Sequence, residues 1–314
     1  MLIRPYEATD DASLVACWNA TVWADPIDGR TWRSRFLLDS QFEPATCLVA
    51  EHDAAVRGFC FGMRQPGTDD AAIVALGVEA AVRKRGIGTR MVEQLLEAWW
   101  STGVQRVRVG PYVPTYVAPG VDEGAYPEAG ALFQRQGFAA EGRPISMRAN
   151  LSGYRSRPGM DDAVATLEAA GIVVRSATGR DIVPLRAFLR EQFPEWQPEV
   201  GEVWASLGAG DAGRCTLSVA ELGGRIVGFA QSRGERFGPF GVDPSLRGRG
   251  VGAVLLDRTL RDMRARGYHV AWFLWTDERA ARLYQRFGFV VDRRFTLFSR
   301  ALMKRGAGDN PDRS

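Results

Sequence analysis

The chain has 314 residues, of which 46% are hydrophobic and 25% are charged, and its formal net charge at pH 7 is +3. The length predicts two domains, and the composition is that of a globular protein with enough apolar material for two cores. This excludes an intrinsically disordered chain, and the small positive charge does not by itself indicate nucleic-acid binding.

Residue types that are scarce exclude several classes of enzyme. His52 and His269 are the only histidines, so a site with three histidine ligands cannot be built and we expect no metal. The sequence has no Gly-x-Ser-x-Gly motif, which argues against a serine hydrolase. The cysteines form no Cys-x-x-Cys pair, so we expect reduced thiols. Because there is no signal-peptide pattern and no long apolar run, the sequence predicts a cytoplasmic protein without membrane contact.

The same series of elements is predicted twice along the chain. Each series begins with a short strand, at residues 2–6 and 172–176, and a helical pattern follows it. Two strands joined by a turn come next, and the turn of the second copy is Gly223-Gly224, a hairpin signal. Each series then continues with another strand, a glycine-rich loop, an amphipathic helix, a β-branched and aromatic strand, and a helix ending at Gly-Phe.

Matching segments indicate an internal repeat of about half the chain. Val56-Arg57-Gly58-Phe59 corresponds to Ile226-Val227-Gly228-Phe229, and Gln136-Gly137-Phe138 corresponds to Phe287-Gly288-Phe289. The first copy is longer before its Gly-Phe, and residues 111–123 are the candidate insertion. The predicted organisation is an N-terminal domain at 1–152, a linker at 153–170, a C-terminal domain at 171–303 and a disordered tail at 304–314.

A glycine loop rich in arginine follows a strand and opens a helix in each copy. The two loops are Arg83-Lys84-Arg85-Gly86-Ile87-Gly88 and Arg247-Gly248-Arg249-Gly250-Val251-Gly252. The first amides of a helix lack internal partners and carry the positive end of the helix dipole. Glycine lets the backbone approach a ligand closely. The loops therefore predict binding sites for a phosphate or pyrophosphate group.

Two better-known nucleotide motifs do not fit these loops. A dinucleotide-binding Rossmann loop needs Gly-x-Gly-x-x-Gly and a P-loop needs Gly-Lys-Ser/Thr, and neither pattern is present. The order strand, Arg-x-x-Gly-x-Gly, helix, strand and helix ending in Tyr-x-x-x-Gly-Phe instead resembles the GNAT superfamily of N-acetyltransferases. The resemblance covers both halves and is most specific at residues 242–252 and 280–289.

The resemblance implies a fold of the α/β (α+β) class. It predicts two tandem domains, each a mixed, mostly antiparallel, twisted sheet flanked by helices. It also implies acetyl-CoA as co-substrate, with the pyrophosphate on the loop amides and the pantetheine between two splayed strands. The implied cofactor-binding residues of the C-terminal half are Phe240, Gly241, Val242, Arg247, Gly248, Arg249, Gly250, Val251, Gly252, Asp277, Ala280 and Tyr284. Those of the N-terminal half are Val78, Arg83, Arg85, Gly86, Ile87 and Gly88.

The resemblance also implies a catalytic tyrosine, Tyr284, which lies four residues before Gly288 and would protonate the departing thiolate. Phe133 holds the same position in the N-terminal half and has no proton to give, which predicts a catalytically degenerate first domain. The alternative is that both aromatic residues only pack against the cofactor or the core. Asp277 departs from the family pattern, which often has asparagine there.

The residue that would remove the proton from the attacking amine is left open. Glu235 is the candidate base, because it lies just before the strand that would meet the acyl group. Other acidic candidates, beside a relay through water, are Glu191, Glu195, Glu199, Glu202 and Glu221.

The predicted function is acetyl-CoA-dependent N-acetylation of a small-molecule amine or a peptide, with the C-terminal half as the catalytic one. A non-catalytic acyl-CoA-binding or regulatory protein is the alternative. Nucleic-acid binding is disfavoured because the arginines cluster at helix starts and do not follow one face. We expect either a monomer whose halves form a pseudo-dimer, or a homodimer.

Overall fold

The computed structural model describes residues 1–112, 117–208 and 213–302, so the predicted tail at 304–314 lies outside the described residues. The strands are β1 (Leu2–Pro5), β2 (Cys47–His52), β3 (Ala55–Arg64), β4 (Asp70–Val78), β5 (Arg106–Val109), β6 (Ala139–Gly142), β7 (Ile145–Asn150), β8 (Ile172–Ser176), β9 (Cys215–Leu222), β10 (Arg225–Arg233), β11 (Arg236–Val242), β12 (Val270–Thr276), β13 (Val290–Arg294) and β14 (Leu297–Ala301). The α-helices are α1 (Asp11–Thr21), α2 (Gly29–Trp32), α3 (Ile87–Ser101), α4 (Ala129–Arg135), α5 (Met160–Ala169), α6 (Ile182–Gln192), α7 (Gln197–Gly208), α8 (Val251–Ala265) and α9 (Glu278–Gln285). Within the described parts of the chain, no helix is long and apolar enough to cross a membrane.

The chain divides into two compact units whose limits differ from those of the predicted domains. The N-terminal unit is Met1–Pro144 together with the segment that begins at Arg294, and the C-terminal unit is Ile145–Arg293. The chain thus leaves the first unit after Pro144 and returns to it at Arg294. The predicted boundary at residue 152 falls instead inside the C-terminal unit, just after β7.

Each unit contains a mixed sheet, which confirms the predicted fold class. Among the described residues, the sheet of the N-terminal unit has seven strands in the order β1-β2-β3-β4-β5-β14-β6, and the sheet of the C-terminal unit has seven in the order β13-β7-β12-β11-β10-β9-β8. The pairs β4–β5 and β11–β12 are parallel, whereas the hairpins β2–β3 and β9–β10 are antiparallel. The two sheets therefore repeat one plan.

One interior strand of each sheet lies in sequence within the predicted domain of the other half, which explains the difference in boundaries. β14 lies between β5 and β6 of the N-terminal unit, and its Phe298 is fully buried. β7 lies beside β12 in the C-terminal unit and buries Met147 completely. Because these strands fill interior positions of their sheets, they belong to the unit whose core they complete and not to the one next to them in sequence.

The predicted linker at 153–170 is a structured part of the C-terminal unit. Its helix α5 places Met160 and Leu167 in the core cluster of that unit. Ahead of this helix, the Tyr154 hydroxyl and the Ser156 hydroxyl donate hydrogen bonds of 2.8 and 2.9 Å to the carboxylate of Asp257 on α8. The Asp257 carboxylate is fully buried, and these bonds satisfy it. The segment is therefore anchored to the domain.

The helix after each glycine loop forms the main contact with its sheet. The apolar residues of α8 recur every three or four positions and are buried, as the pattern predicts: Val251, Val254, Leu255, Leu256, Leu260 and Met263. Residues of α3 at the same spacing are buried in the N-terminal unit: Ile87, Met91, Leu95 and Trp99. The burial of each such aliphatic side chain stabilises the folded state by roughly 1.5–3 kcal/mol. This packing fixes the helix start, and with it the loop, against the sheet.

An ion-pair triad occurs at the same place in both units. In the C-terminal unit Arg175 donates to both carboxylate oxygens of Asp181, at 2.7 Å each, and also to Glu221. In the N-terminal unit Arg4 pairs in the same way with Asp10, at 2.8 Å, and with Glu51. The Asp181 side chain is 4% exposed and accepts from the amide of Thr178 as well. Each triad ties the first strand to the start of the first helix.

Replacing Arg175 by methionine is expected to lower the free energy of unfolding by about 2–4 kcal/mol at pH 7, because Asp181 would be left as a buried, unpaired charge. The hydrogen bonds from Arg175 hold the pKa of Asp181 well below its usual range. A carboxylate whose pKa is lower in the folded state stabilises the fold fully at pH values above its unfolded-state pKa of about 4. This stabilisation is lost as the pH falls from about 4 toward the folded-state pKa. The difference in the free energy of unfolding between the wild type and Arg175→Met should therefore become smaller below about pH 4. Urea denaturation at several pH values measures this difference.

The matched control for this prediction is Arg180→Met. The Arg180 side chain is 71% exposed and lies 3.8 Å from Glu221, so its removal should change the stability by less than about 1 kcal/mol. Equal unfolding midpoints for Arg175→Met and the wild type at pH 7 would contradict the proposed role of the triad.

Candidate active site

Two parallel strands separate in the C-terminal unit and leave an opening between them. β11 and β12 are paired at Arg236 and Trp272, where the amide of Trp272 donates to the carbonyl of Glu235 at 3.0 Å. β11 then continues to Val242 along β10, without a further register pair to β12 among the described residues. The backbone groups of β11 that face this opening are available for a strand-like ligand.

The N-terminal unit repeats this opening. β4 and β5 pair from Asp70 with Arg106 to Ile73 with Val109, and the amide of Gly110 donates to the carbonyl of Ile73 at 3.0 Å. Beyond Ile73, β4 runs on to Val78 beside β3 only. The parting of the strands therefore exposes one edge of β4 over its last residues.

The glycine loop of the C-terminal unit lies at the end of its opening. Gly248 and Gly250 have φ values of +80° and +90°, a backbone conformation that favours glycine. Helix α8 starts immediately afterwards, and its first internal hydrogen bond runs from the amide of Val254 to the carbonyl of Gly250, at 3.1 Å. The amides of Val251 and Gly252 precede this bond and have no acceptor within the helix. They form the positive end of a 15-residue helix, which suits a phosphate group.

The last glycine of each loop lies in close contact with a neighbouring side chain. A Cβ atom at Gly252 would lie 3.2 Å from Cζ of Phe240 on β11. A Cβ atom at Gly88 would lie 3.2 Å from Cδ1 of Leu132 on α4. These glycines let the helix start approach the neighbouring strand and helix, so that the amides lie at the opening between the strands.

The side chains of the N-terminal loop make contacts within their own unit. Gly86 has a φ of +75° and directly precedes α3, as Gly250 precedes α8. The Arg83 Nε donates to the carbonyl of Val78 at 2.8 Å, which fixes the loop to the end of β4. The Lys84 Nζ lies 3.7 Å from the Glu128 carboxylate and both side chains are largely exposed. The loop thus keeps positive charge at the surface beside the helix start.

A cavity of about 930 Å³ occupies the opening in the N-terminal unit. It runs from the loop and the first turn of α3, along the free edge of β4, to the end of α1. This volume lies within the range of small-molecule and cofactor sites, roughly 300–1,000 Å³. Residues of the predicted cofactor set that line it are Val78, Arg83, Gly86, Ile87 and Gly88, and Arg85 is not among the lining residues.

Tyr284 lies on α9 of the C-terminal unit, with its ring between side chains of the two separating strands. Its ring centroid is 4.5 Å from that of Phe273 on β12 and 6.0 Å from that of Phe237 on β11. Burial, and then the nearby charge of Asp277, raises the pKa of the hydroxyl well above its usual range. A tyrosine is protonated at neutral pH even at its ordinary pKa of about 10, so the hydroxyl carries the proton that a donor must have.

Phe133 takes the place of Tyr284 in the N-terminal unit. It lies on α4, is 3% exposed, and has its ring centroid 5.5 Å from that of Phe138 and 6.2 Å from that of Phe298. It also lines the cavity of that unit. The position is thus equivalent in structure, as the repeat predicts, and the hydroxyl is missing.

Asp277 and Ala280, both predicted to contact the cofactor, form the N-terminal cap of α9. The Asp277 carboxylate accepts a hydrogen bond of 2.7 Å from the amide of Ala280. Aspartate at this position stabilises a helix by about 0.5–2 kcal/mol relative to alanine. The structure therefore gives this pair a structural role, which also sets the start of the helix that carries Tyr284.

Glu235 lies in the turn between β10 and β11 and is exposed. Its backbone carbonyl, and not its carboxylate, makes the bond that joins β11 to β12. Three of the other acidic candidates are bound to arginines: Glu199 to Arg236 at 3.1 Å, Glu202 to Arg233 at 2.7 Å, and Glu221 to Arg175. The remaining two, Glu191 and Glu195, are exposed. No carboxylate of the predicted set therefore stands out in the structure as the base.

Two aromatic rings cover β11 from the side opposite α8. Phe193 and Trp196 are stacked with centroids 4.6 Å apart and an interplanar angle of 10°. A Cβ atom at Gly241 would lie 2.7 Å from Cε2 of Phe193, so glycine is required there by this pair. The corresponding Gly77 of β4 faces Thr21 and Phe59. In both units a glycine near the end of the strand allows the first helical region to approach the opening.

Comparison with known protein families agrees with this geometry. The model of the acetyltransferase (GNAT) family matches residues 182–289, and that of the acetyltransferase (GNAT) domain matches residues 43–140. Together the two matches cover more than half of the chain, and each includes a glycine loop. The chain belongs to the GNAT family of acetyltransferases. The tandem arrangement predicted from the repeat is confirmed, and this GNAT protein is an enzyme of the N-acetyltransferase class.

Two relatives and one solved structure extend over most of this GNAT protein. A mycothiol acetyltransferase of Thermobifida fusca is 27% identical over 90% of this chain and 88% of its own length. One of Nocardia farcinica is 28% identical over 85% of this chain and 87% of its own length. The structure of a tandem GNAT protein from the clavulanic acid biosynthesis pathway shares 17% identity, covers 96% of this chain and 99% of its own, and gives a TM-score of 0.64. That structure supports the fold alone.

Proposed function

We propose that this protein transfers the acetyl group of acetyl-CoA to the primary amine of a small molecule. One observation carries the proposal: in each unit two parallel strands part, and the opening leads to a glycine loop at the N-terminus of a long helix. This arrangement offers a strand edge for an amide-containing chain and helix amides for a pyrophosphate. Coenzyme A contains both groups, joined in that order.

The chain's own residues fit coenzyme A in both units. In the C-terminal unit, the free edge at Phe240, Gly241 and Val242 would pair with pantetheine amides, and the loop from Arg247 to Gly252 would hold the pyrophosphate. In the N-terminal unit, Val78 and the loop from Arg83 to Gly88 would do the same. When bound, acetyl-CoA would supply an activated acyl group as a thioester.

Tyr284 is the proposed proton donor to the thiol that leaves. Its phenol is protonated at neutral pH, and its ring lies between Phe273 of β12 and Phe237 of β11, where the reacting end of the ligand would lie. Asp277 would act through α9 as a positioning residue, since it caps the helix that carries Tyr284. Glu235 stays a prediction for the base, and a water molecule between the amine and a carboxylate remains the other route.

The acceptor proposed here is a small molecule. The two relatives that match most of the chain are both named mycothiol acetyltransferases, which supports an acceptor of that size for this protein too. The decisive experiment is to measure thiol release from acetyl-CoA in the presence of a panel of primary amines. We expect thiol release that depends on one amine of the panel. Mass spectrometry should then detect the N-acetyl product of that amine. A folded protein that binds coenzyme A but acetylates no amine would favour the acyl-CoA-binding alternative.

Tyr284→Phe is expected to lower kcat for that amine about 10²-fold, since a positioned general acid contributes roughly 10²–10⁴-fold. The affinity for coenzyme A should remain unchanged, because the phenyl ring keeps its contacts with Phe273 and Phe237. The matched control is Tyr268→Phe, a partly buried tyrosine of the same unit away from the opening. If both variants turn over at the wild-type rate, Tyr284 has no part in the chemistry.

A further inference from the structure

Equivalent positions of β4 and β11 carry different side chains at the opening between the strands. Leu76 on β4 and Phe240 on β11 each lie seven residues before the first arginine of the glycine loop. Ile73 and Phe237 each lie ten residues before it. A bulge separates the two positions in both strands, so both side chains pack toward the helix that follows the loop. Two aliphatic residues of the N-terminal unit thus take the places of two phenylalanines.

The neighbouring parallel strand differs in the same way. Val109 on β5 is the register partner of Ile73. Phe273 on β12 takes the equivalent place beside Phe237, one residue beyond the parallel register pair of that unit, and the two ring centroids lie 6.2 Å apart. A third phenylalanine of the C-terminal unit therefore corresponds to an aliphatic residue of the N-terminal unit.

In the C-terminal unit these phenylalanine rings surround Tyr284. The Tyr284 ring centroid lies 4.5 Å from that of Phe273, 6.0 Å from that of Phe237 and 6.2 Å from that of Phe240. Such distances are those of aromatic rings in contact. The four rings therefore fill the space where the strands separate, and they leave room there for a small acyl group.

In the N-terminal unit the same three positions form part of a cavity wall. Ile73, Leu76 and Val109 all line the cavity of about 930 Å³. Val117 and Val121, from the segment between β5 and α4, add further apolar surface to it. An apolar cavity of about 150 Å³ is already large enough to hold benzene. The end of this cavity where the strands separate therefore suits an apolar chain.

We propose that the N-terminal unit binds a coenzyme A thioester whose straight acyl chain has four carbons or more, packed against Ile73, Leu76 and Val109. The inference rests on the proposed function, since it requires the pantetheine to follow β4 from the glycine loop. The thioester then lies where β4 and β5 separate, and the acyl chain contacts the three aliphatic residues. The unit without the catalytic tyrosine thus selects a longer acyl group than the unit that has it.

Calorimetric titration of the full-length Gly250→Asp variant tests this inference. The substitution places a negative charge in the loop of the C-terminal unit and leaves the loop of the N-terminal unit intact. Butyryl-CoA should bind to this variant about tenfold more tightly than acetyl-CoA, because the burial of each of its two additional methylenes strengthens binding about fourfold. The Gly86→Asp variant, in which only the C-terminal loop is intact, should show no such gain.

Val109→Phe, combined with Gly250→Asp, should bring the ratio of the two affinities close to one, since it introduces the residue type of the C-terminal unit. Leu76→Phe should act in the same direction, and this partly exposed position keeps the test available if Val109→Phe does not fold. The matched control is Lys84→Gln, at the loop end of the same cavity. It should change the affinities for butyryl-CoA and acetyl-CoA by the same factor and leave their ratio unchanged.

Equal affinities of the Gly250→Asp variant for butyryl-CoA and acetyl-CoA would overturn the inference. Failure of this variant to bind either thioester, or a ratio that neither Val109→Phe nor Leu76→Phe reduces, would overturn it as well. Titration of the Gly86→Asp variant with free coenzyme A tests the proposed function separately, because the proposed chemistry lies in the C-terminal unit. Failure of one therefore does not imply failure of the other.

Discussion

Deletion of the chain from residue 294 onward is expected to unfold the N-terminal unit, although its other strands end at Gly142. The deletion removes β14 from the interior of the sheet and leaves both β5 and β6 without a partner on that side. Loss of the Phe298 side chain alone, fully buried, should cost about 3–5 kcal/mol. A typical domain has a total stability of only about 5–15 kcal/mol.

Hydrogen exchange measures this effect unit by unit. In the truncated protein the amides of β2 to β5 should lose their protection, whereas those of β9 to β11 should keep theirs, because the C-terminal unit ends at Arg293. In the full-length variant Phe298→Ala, the backbone amides of the N-terminal unit alone should lose part of their protection from hydrogen exchange. Wild-type protection of β2 to β5 after the deletion would show that β14 does not stabilise that sheet.

Gly250→Asp is expected to weaken coenzyme A binding to the C-terminal unit at least about 100-fold. The substitution places a negative charge at the helix start proposed to hold the pyrophosphate. It also puts a side chain on a backbone with a φ of +90°, which costs about 1–2 kcal/mol for most residues. Gly250→Asn is the control for the backbone, since asparagine adopts this conformation more readily and carries no charge.

The corresponding change in the other unit is Gly86→Asp, at a φ of +75°. If both loops bind, calorimetry of the wild type should show two sites for coenzyme A, each single variant should retain one, and the double variant none. A single site that Gly250→Asp removes would restrict the cofactor to the C-terminal unit. Undiminished two-site binding in the double variant would refute the assignment of the loops.

Local features of this fold could be predicted from the sequence because they depend on short segments. The Arg-x-x-Gly-x-Gly spacing predicted a glycine loop that opens a helix, and Gly250, with a φ of +90°, directly precedes α8. The apolar spacing after Gly250 predicted the buried face of α8. The equivalence of Phe133 and Tyr284 followed from the repeat and is preserved in position.

The exchange of β7 and β14 could not be predicted in this way. The sequences of both segments predict only that they are strands. In a duplicated chain, each strand could pair with either sheet at a similar local free energy. The choice is made by distant residues, such as Val109, which is the register partner of Phe298. Sequence alternation gives the side of a strand that is buried but not the sheet that buries it.

Some side-chain roles could have been found by closer reading. Asp277 precedes an acidic first turn and a helical run, which is the pattern of a helix cap, whereas family position suggested a ligand contact. The triads were also visible as repeated types, since Arg4, Asp10 and Glu51 match Arg175, Asp181 and Glu221.

The discontinuity of the N-terminal unit determines when it can become complete during synthesis. The segment up to Pro144 leaves the ribosome first, but it must wait for β14 until the whole C-terminal unit has been made. At about 5–20 residues per second this delay is roughly 10–30 s. Throughout that time β5 and β6 lack the strand that lies between them, and such open edges attract strands of other chains. The half that is translated first is therefore the one that finishes folding last, and it is the half most dependent on chaperones in a crowded cell.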